Sequence, residues 1–255
     1  VEPLDGEMHE YMIYLPLYDG INWLQIGVDS TAQLLPPQVD NPRSMGKIVI
    51  YGTSIQQGGC ASRTGMVPSA MIQRDFNLEC VNLATSGQAR MDFYIAEALA
   101  SIEDAICYVI DPVPNCTKDR CDTATYDFIN ILRTLRPEVP IVMVEGLMYP
   151  YTRHDSYHAE YLPQKNECFR RGFDEHVAEN PKGMYYMTHE GQTGPDMEGT
   201  VDGVHLTDYG FRAYADLLEI HIKEALDDTD VDYDVEPAYN VVRKKTFWER
   251  LKDLF

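Results

Sequence analysis

The architecture of this chain follows from KIVIYGTSIQQGG, residues 47–59. Residues 47–51 form a short apolar run, typical of a strand that is buried on both faces of a parallel sheet. A turn of small residues comes next, with Ser54 at its apex, and the glycine at position 52 permits a sharp passage from strand to helix. A helix that begins there points backbone N–H groups at an incoming anion. Ser54 is therefore a candidate nucleophile, and the alternative is a serine that only caps a helix.

Beyond this stretch, short apolar runs alternate with amphipathic ones, which is typical of repeated βαβ units. The pattern predicts an α/β fold, a three-layer α/β/α sandwich around a five-stranded parallel sheet. Strands are predicted at residues 47–51, 80–84, 107–110, 140–145 and 184–188, and helices at 67–76, 92–102, 123–135, 156–179 and 207–226. Sheets of this kind bind ligands beyond the carboxyl ends of their strands, so functional residues are expected in the loops that follow the strands.

The two ends of the chain differ from this pattern. Residues 10–18 and 23–28 alternate apolar and polar side chains around an Asp19-Gly20 turn, which predicts a β-hairpin within a short N-terminal β appendage, residues 1–42. Residues 229–255 combine an acidic linker with an amphipathic helix. That helix either docks on the domain of residues 43–228 or binds a partner, so a homo-oligomer is one expected arrangement.

The net charge and the apolar content of the chain indicate which classes of binding partner to expect. The chain has 41 acidic and 21 basic residues and a formal net charge of -20, which repels phosphate backbones and anionic lipid surfaces. Nucleic acid is therefore not an expected partner. Its apolar runs are also too short for a membrane-spanning helix, which needs about 18 or more such residues. A start at Val1 rather than at Met indicates a processed or trimmed beginning that hides any signal peptide.

Cysteine and histidine spacing predicts neither a disulfide framework nor a metal site. The six cysteines are scattered through the chain, although Cys116 and Cys121 share one loop and would be able to bridge in an oxidising compartment. His154 and His158 have helical spacing, but no glutamate follows the first of them, as a zinc protease motif requires. No metal and no other cofactor is expected.

A second informative segment is VDGVHLTDYG, residues 201–210. An aspartate three residues before a histidine is able to fold its carboxylate onto the imidazole, which fixes the tautomer and stabilises the imidazolium. Asp202 and His205 are thus candidates for the acid and base of a catalytic triad with Ser54. The alternative is a histidine that flanks the next helix, with Asp202 as a surface partner.

Two further loops offer hydrogen-bond donors for an oxyanion. Gly87 follows the second predicted strand, and Asn115 follows the third. With the Ser54 N–H, the Gly87 N–H and the Asn115 side-chain amide would complete an oxyanion hole. Each residue alone is an ordinary turn residue. Their coincidence with Ser54 and His205 in four loops is what acyl transfer requires.

This set of four blocks resembles the SGNH or GDSL-like hydrolases, named for a serine, a glycine, an asparagine and a histidine. The resemblance covers residues 47–226 and implies a flavodoxin-like sheet, an acyl-enzyme mechanism, no metal and hydrolysis of an ester. The run YGTSIQQGGCASRTGM, residues 51–66, resembles a bacterial subgroup in which a small β-rich domain precedes the hydrolase. Residues 1–42 then look like a remnant of that domain, and the resemblance implies a periplasmic or secreted location.

Two positions depart from the family pattern. Thr53 stands where an aspartate usually precedes the nucleophile, and the asparagine block reads Pro-Val-Pro-Asn115 instead of Gly-x-Asn-Asp. The orientation of the Asn115 side-chain amide is therefore the least supported of the four correspondences with the family.

The expected function is a serine esterase acting on short-chain carboxylic esters, with acylated carbohydrate as the expected saccharide substrate. Glu145 and Arg63 are candidate substrate contacts, because each lies close to a predicted site loop. The alternative from another class is a catalytically silent carbohydrate- or partner-binding module on the same fold. A phosphate or sulfate ester hydrolase is a second enzymatic alternative, but it needs metal ligands or an arginine clamp that the sequence does not offer.

Overall fold

In a computed structural model, which describes residues 7–37, 46–229 and 231, the alternating elements form one sheet flanked by helices. The strands are β1 (Lys47–Gly52), β2 (Glu79–Asn82), β3 (Ala105–Asp111), β4 (Ile141–Val144) and β5 (Met184–Met187). The α-helices are α1 (Ser54–Gln57), α2 (Pro68–Phe76), α3 (Phe93–Ala100), α4 (Lys118–Leu135), α5 (Ser156–Glu179) and α6 (Asp208–Asp227). Three short 3₁₀ turns, Thr64–Met66, Val113–Asn115 and Pro150–Arg153, lie in the connecting loops.

All strand pairs are parallel, and the strand order is β2-β1-β3-β4-β5. This is the flavodoxin-like order, so the predicted fold is confirmed. The chain reverses its direction of travel across the sheet between β1 and β3. A crevice forms at such a point, beyond the carboxyl ends of the strands, and the loops that carry Ser54 and Asn115 both leave from it.

The core has two halves because successive strand residues face opposite sides of the sheet. Ile48 and Ile50 of β1 face a cluster made with side chains of α2 and α6. Val49 and Tyr51 face a second cluster, made with side chains of α3, α4 and α5. Both faces of β1 are thereby covered, as the predicted three-layer sandwich requires.

The helix predicted at residues 123–135 begins earlier than expected, at Lys118. Thr117 is its N-cap, and the Thr117 side chain accepts a hydrogen bond from the Arg120 N–H. Such a cap satisfies one of the unpaired N–H groups of the first turn, so the helix extends back to it. In the described part of the chain, no helix combines the length and apolarity needed to cross a bilayer.

The predicted N-terminal hairpin is wrong for the described residues, because residues 7–37 contain no strand. Its apolar side chains, such as Trp23 and Leu34, are largely exposed. An isolated two-stranded hairpin is marginally stable in water, and here the alternating segment pairs with neither edge strand of the sheet, β2 or β5. The segment instead runs over the surface of the α/β domain and contacts it through Tyr14, Leu17 and Tyr18.

The domain boundaries predicted at residues 42 and 228 stay predictions. The acidic linker and amphipathic helix predicted for residues 229–255 lie outside the described residues, apart from Thr229 and Val231. The homo-oligomer expected from that helix is likewise untested.

Candidate active site

The turn after β1 presents Ser54 as the first residue of α1. Thr53 is the N-cap, and its hydroxyl accepts a hydrogen bond from the Ile55 N–H at 3.4 Å. The capping role is thus taken by Thr53, where the family pattern has aspartate, and the hydroxyl of Ser54 remains available. Gly58 ends the helix with φ of 98°, a left-handed conformation that favours glycine.

Ser54, His205 and Asp202 form one chain of hydrogen bonds. The Ser54 Oγ lies 2.9 Å from the His205 Nε2, although the two residues are 151 positions apart. On the other side of the ring, the His205 Nδ1 lies 2.7 Å from the Asp202 Oδ2. An ionised carboxylate only accepts, so Nδ1 carries the proton and Nε2 accepts from the serine hydroxyl.

The loop that carries Asp202 is held in place by its own backbone. The Asp202 Oδ1 accepts the N–H groups of Val204 at 2.9 Å and His205 at 2.7 Å. The hydrogen bond from the His205 side chain, together with those backbone bonds, lowers the pKa of Asp202 to about 2. Thr207 caps α6, so His205 does not serve as the helix cap.

The three predicted oxyanion donors line one cavity of about 510 Å³ together with His205. Gly87 has φ of 72°. In the described ranges, no acceptor contacts the N–H of Gly87 or of Ser54. The Asn115 Oδ1 accepts a hydrogen bond from the Ala89 N–H at 3.4 Å, which leaves the two amide hydrogens on its nitrogen for a ligand.

Several other residues line the same cavity and were not predicted from the sequence. They are Tyr18, Ile55, Ser86, Pro114, Tyr149 and Val204. Tyr149 follows β4, and burial raises the pKa of its hydroxyl to about 12. The position of Tyr149 shortly after a strand could have identified it from the sequence, since the other site loops also follow strands. Tyr18 had no such signal, because it comes from the segment before the sheet.

The structure does not bring Glu145 or Arg63, the predicted substrate contacts, into the cavity lining. Glu145 is buried, and its Oε2 accepts hydrogen bonds from the His189 N–H at 3.0 Å and from the His189 Nδ1 at 2.8 Å. Although burial acts in the opposite direction, these bonds lower the pKa of Glu145, and they raise that of His189. Arg63 is largely exposed and lies 3.7 Å from Asp208.

His158 is hydrogen-bonded to a neighbouring carboxylate, and Cys116 and Cys121 do not form a disulfide. His158 Nδ1 lies 2.6 Å from Asp155, the N-cap residue of α5. Cys116 and Cys121 are both free thiols in this structure. Within the described ranges, no group of three or more His, Cys, Asp or Glu side chains is arranged to hold a metal ion. The expected absence of a metal stays a prediction.

The family follows from comparison with known proteins. The model of the GDSL-like lipase/acylhydrolase family matches residues 45–223, which is more than half of the chain. The chain belongs to this family. A second model, of the N-terminus of SGNH-hydrolase-type esterases, matches residues 1–34. Both the family and the subgroup with a preceding N-terminal segment, predicted from the sequence, are therefore confirmed.

Solved structures with the same fold include a protein described as a GDSL-like lipase from Bacteroides ovatus, with 32% identity and a TM-score of 0.68 over 71% of this chain. A salicylyl-acyltransferase from a tetracycline biosynthetic pathway has 16% identity and a TM-score of 0.62 over 80% of this chain. A family two carbohydrate esterase from Clostridium thermocellum, in complex with cellohexaose, has 18% identity and a TM-score of 0.55 over 72% of this chain.

This chain spans only part of the length of these three proteins. It covers 54% of the Bacteroides ovatus protein, 60% of the acyltransferase and 65% of the carbohydrate esterase. The two structures below 25% identity show the fold alone. No protein of curated function matches the chain.

Proposed function

We propose that this GDSL-like chain is a serine esterase that cleaves short-chain carboxylic esters through an acyl-enzyme. The observation that carries the proposal is the chain of hydrogen bonds from Ser54 through His205 to Asp202, at 2.9 and 2.7 Å. The cavity beside it brings together Ser54, Gly87 and Asn115, the three expected oxyanion donors. Nucleophile, base, carboxylate and donors are the groups that acyl transfer needs within reach of one carbonyl.

In the acylation step, the His205 Nε2 takes the proton of the Ser54 hydroxyl while the Ser54 Oγ attacks the ester carbonyl. The imidazolium that forms is stabilised by the Asp202 carboxylate on Nδ1. The carbonyl oxygen becomes an oxyanion, which the Ser54 and Gly87 N–H groups and the Asn115 amide stabilise, each by about 3 kcal/mol. His205 then gives its proton to the departing alcohol.

In the deacylation step, a water molecule takes the position of the alcohol and His205 withdraws its proton. The hydroxide attacks the acyl carbon, the same donors hold the second oxyanion, and the Ser54 Oγ leaves with the proton from His205. The carboxylic acid product ionises at neutral pH, and the net charge of -20 on the protein favours its departure.

An acylated saccharide is the proposed substrate. The cavity is open to solvent, and Tyr18 and Tyr149 contribute aromatic side chains to its wall. Aromatic rings with a polar hydroxyl suit a ligand that has both apolar C–H faces and hydroxyl groups. Carbohydrate esterases among the structural neighbours make acetylated oligosaccharides the first substrates to test. The periplasmic or secreted location expected from the family resemblance stays a prediction.

The first test compares p-nitrophenyl acetate hydrolysis by the wild type and by Ser54→Ala. The proposal expects the variant to lose at least about 1,000-fold in kcat, because nucleophilic catalysis is removed. Equal rates in both proteins would favour the silent binding module instead. Loss of the wild-type rate on treatment with EDTA would favour a metal-dependent phosphate or sulfate ester hydrolase.

The second test identifies the substrate. Acetylated xylo-, manno- and cello-oligosaccharides are incubated with the wild type and with Ser54→Ala, and the released acid is detected by mass spectrometry. Release of acetate by the wild type alone supports the proposal. Activity on p-nitrophenyl acetate without release from any of these saccharides would limit the proposal to an esterase of another substrate class.

A further inference from the structure

Part of the N-terminal segment is attached to the α/β domain close to the nucleophile turn. The Arg74 Nη1 donates to the Tyr14 hydroxyl at 2.8 Å, and the guanidinium lies 5.6 Å from the centre of the Tyr14 ring. The Gln57 side chain donates to the Leu17 carbonyl at 3.1 Å. The segment is thus held by both α2 and α1, and Tyr18 follows directly after the contact with α1.

Ser86 is held from two directions. The Gln57 Oε1 accepts a hydrogen bond from the Ser86 N–H at 2.7 Å, so one side chain of α1 links Ser86 to the N-terminal segment. The Ser86 Oγ is also hydrogen-bonded to the Tyr18 hydroxyl at 2.8 Å. Both the backbone and the side chain of Ser86 are therefore restrained, and one of the two restraints comes from outside the α/β domain.

Restraint of Ser86 matters because the next peptide plane carries the Gly87 N–H, a proposed oxyanion donor. A Cβ placed on Gly87 would meet no atom within 4 Å, so no side chain packs against that face of Gly87. Its carbonyl accepts hydrogen bonds from the Arg90 side chain at 3.2 and 3.0 Å, and the Gln88 N–H closes the turn onto the Thr85 carbonyl at 3.1 Å, but neither contact holds the Gly87 N–H itself. Its φ of 72° is a conformation from which glycine escapes easily. The direction of that N–H must then be set by its neighbours, and an oxyanion donor misaligned by a fraction of an ångström loses much of its effect.

Glycines after the nucleophile make room for this arrangement. A Cβ on Gly58 would lie 2.8 Å from the Leu17 Cδ1, and a Cβ on Gly59 would lie 3.1 Å from the Tyr18 hydroxyl. The same Cβ on Gly59 would lie 3.2 Å from the His205 Cδ2. The absence of side chains at these positions lets the N-terminal segment approach the catalytic histidine and line the cavity.

We propose that Tyr18 is a positioning residue of the active site, which orients the Gly87 N–H by holding Ser86. The N-terminal segment then completes the oxyanion hole of the α/β domain. This inference rests on the proposed esterase function. Tyr18 also lines the cavity, so the experiment must separate an effect through Ser86 from direct contact with the substrate.

A double-mutant cycle makes that separation. Tyr18→Phe, Ser86→Ala and the double variant are compared with the wild type by kcat and KM on p-nitrophenyl acetate. Each single variant is expected to lose about tenfold in kcat, with KM changed less than about twofold, because only transition-state stabilisation is weakened. The double variant is expected to lose no more than the worse single variant, since both substitutions remove the same hydrogen bond.

Tyr14→Phe is the matched control. It removes the hydrogen bond from Arg74 but keeps the ring, and it lies on the same segment outside the cavity. The kcat and KM of Tyr14→Phe are expected to stay within about twofold of the wild-type values. The melting temperatures of all variants are measured in parallel.

Four outcomes overturn the inference while leaving the esterase proposal intact. Three of them are multiplied losses in the double variant, a loss confined to KM, and an unchanged kcat in Tyr18→Phe. A control that loses as much kcat as Tyr18→Phe also overturns it, because docking of the segment would then be the cause. If the wild type itself is no faster than Ser54→Ala, the esterase proposal fails instead.

Discussion

At the scale of single residues, the proposed chemistry depends on which His205 nitrogen carries the proton. The Asp202 carboxylate accepts from Nδ1 and so keeps Nε2 free to accept from Ser54. Folding lowers the pKa of Asp202 from its usual value of 3.8 to about 2. The ionised carboxylate therefore stabilises the folded state above pH 3.8, and this stabilisation is lost as the pH falls through about 2. Asp202 is therefore ionised throughout the pH range in which esterases are assayed.

Asp202→Asn tests this dependence on the tautomer. An asparagine amide donates to Nδ1, which moves the ring proton to Nε2 and prevents it from accepting the serine proton. We expect kcat on p-nitrophenyl acetate to fall by about 1,000-fold or more. The melting temperature should change little, because the Asn Oδ1 still accepts the backbone N–H groups of Val204 and His205.

Asp208→Asn is the control for charge. Asp208 is also partly exposed, begins α6 and bonds to Ser62 outside the cavity. Its kcat should remain close to that of the wild type. A loss in Asp208→Asn as large as that in Asp202→Asn would show that net charge, rather than the tautomer of His205, governs the rate.

The sequence pointed to the five residues of the proposed machinery because each lies next to a recognisable strand or helix, and their catalytic roles stay predictions. Glu145 was placed wrongly for a physical reason. The end of a strand indicates an edge of the sheet, but whether the side chain faces the crevice or a neighbouring loop depends on packing, and here His189 binds it. Tyr18 was missed because its position depends on contacts with Gln57 and Ser86, far away along the chain.

At the scale of elements, β3, α6 and α1 are tied together beneath the site. The Tyr214 hydroxyl of α6 donates to the Asp111 Oδ2 at 2.6 Å, and the Gln56 side chain of α1 donates to that hydroxyl at 2.9 Å. Asp111 ends β3 and is 2% exposed. Burial raises the pKa of Asp111 to about 7, although the hydrogen bonds from Tyr214 and Gln56 act in the opposite direction.

This shift predicts a stability that depends on pH near neutrality. A carboxyl whose pKa is raised by folding contributes stability that is fully present below its unfolded pKa of 3.8 and is lost as the pH rises through about 7. The rise of three units corresponds to at most about 4 kcal/mol. The free energy of unfolding of the wild type should therefore fall between pH 4 and pH 8 by more than that of Asp111→Asn.

Urea unfolding at several pH values measures the difference between the two proteins. Burial also raises the pKa of Glu219, but any contribution of Glu219 to the pH dependence cancels when wild type and variant are subtracted. Asp119→Asn, on the exposed first turn of α4, is the control and should follow the wild-type curve. Parallel curves for wild type and Asp111→Asn would refute this account of Asp111.

Some of the secondary-structure elements were predicted correctly from the sequence, and others were not. The inner strands β1, β3 and β4 were recognisable because each is a short apolar run covered on both faces, whereas the edge strands β2 and β5 are only partly buried. The start of α4 was missed, since the Thr117 cap stands several residues before the apolar pattern begins. The N-terminal hairpin failed because alternation shows only that a segment is able to form a strand, and pairing depends on an available edge.

At the scale of the whole molecule, the net charge of -20 surrounds a site that lacks lysine and arginine among the described residues of its lining. Such a field slows the approach of anionic substrates, and salt screens it with a Debye length of about 10 Å at 0.1 M. Neutral acetylated oligosaccharides should therefore have a higher kcat/KM than the same oligosaccharides bearing a uronic acid.

The comparison is made at low and high sodium chloride. We expect the neutral substrate to be favoured by several-fold at about 10 mM salt and the two to converge at about 0.5 M. A preference for the anionic substrate at low salt would mean that local groups, and not the overall charge, control access to the site.

The most direct test of the central claim is to trap the acyl-enzyme. The wild type, Ser54→Ala and His205→Asn are mixed with an activated acetyl ester, quenched in acid within milliseconds and digested, and the acetylated peptide is located by mass spectrometry. The account predicts one acetyl group on Ser54 in the wild type and none at that position in either variant. Acetate release by the wild type with no acetylation of Ser54, or with a covalent adduct on another residue, would contradict it.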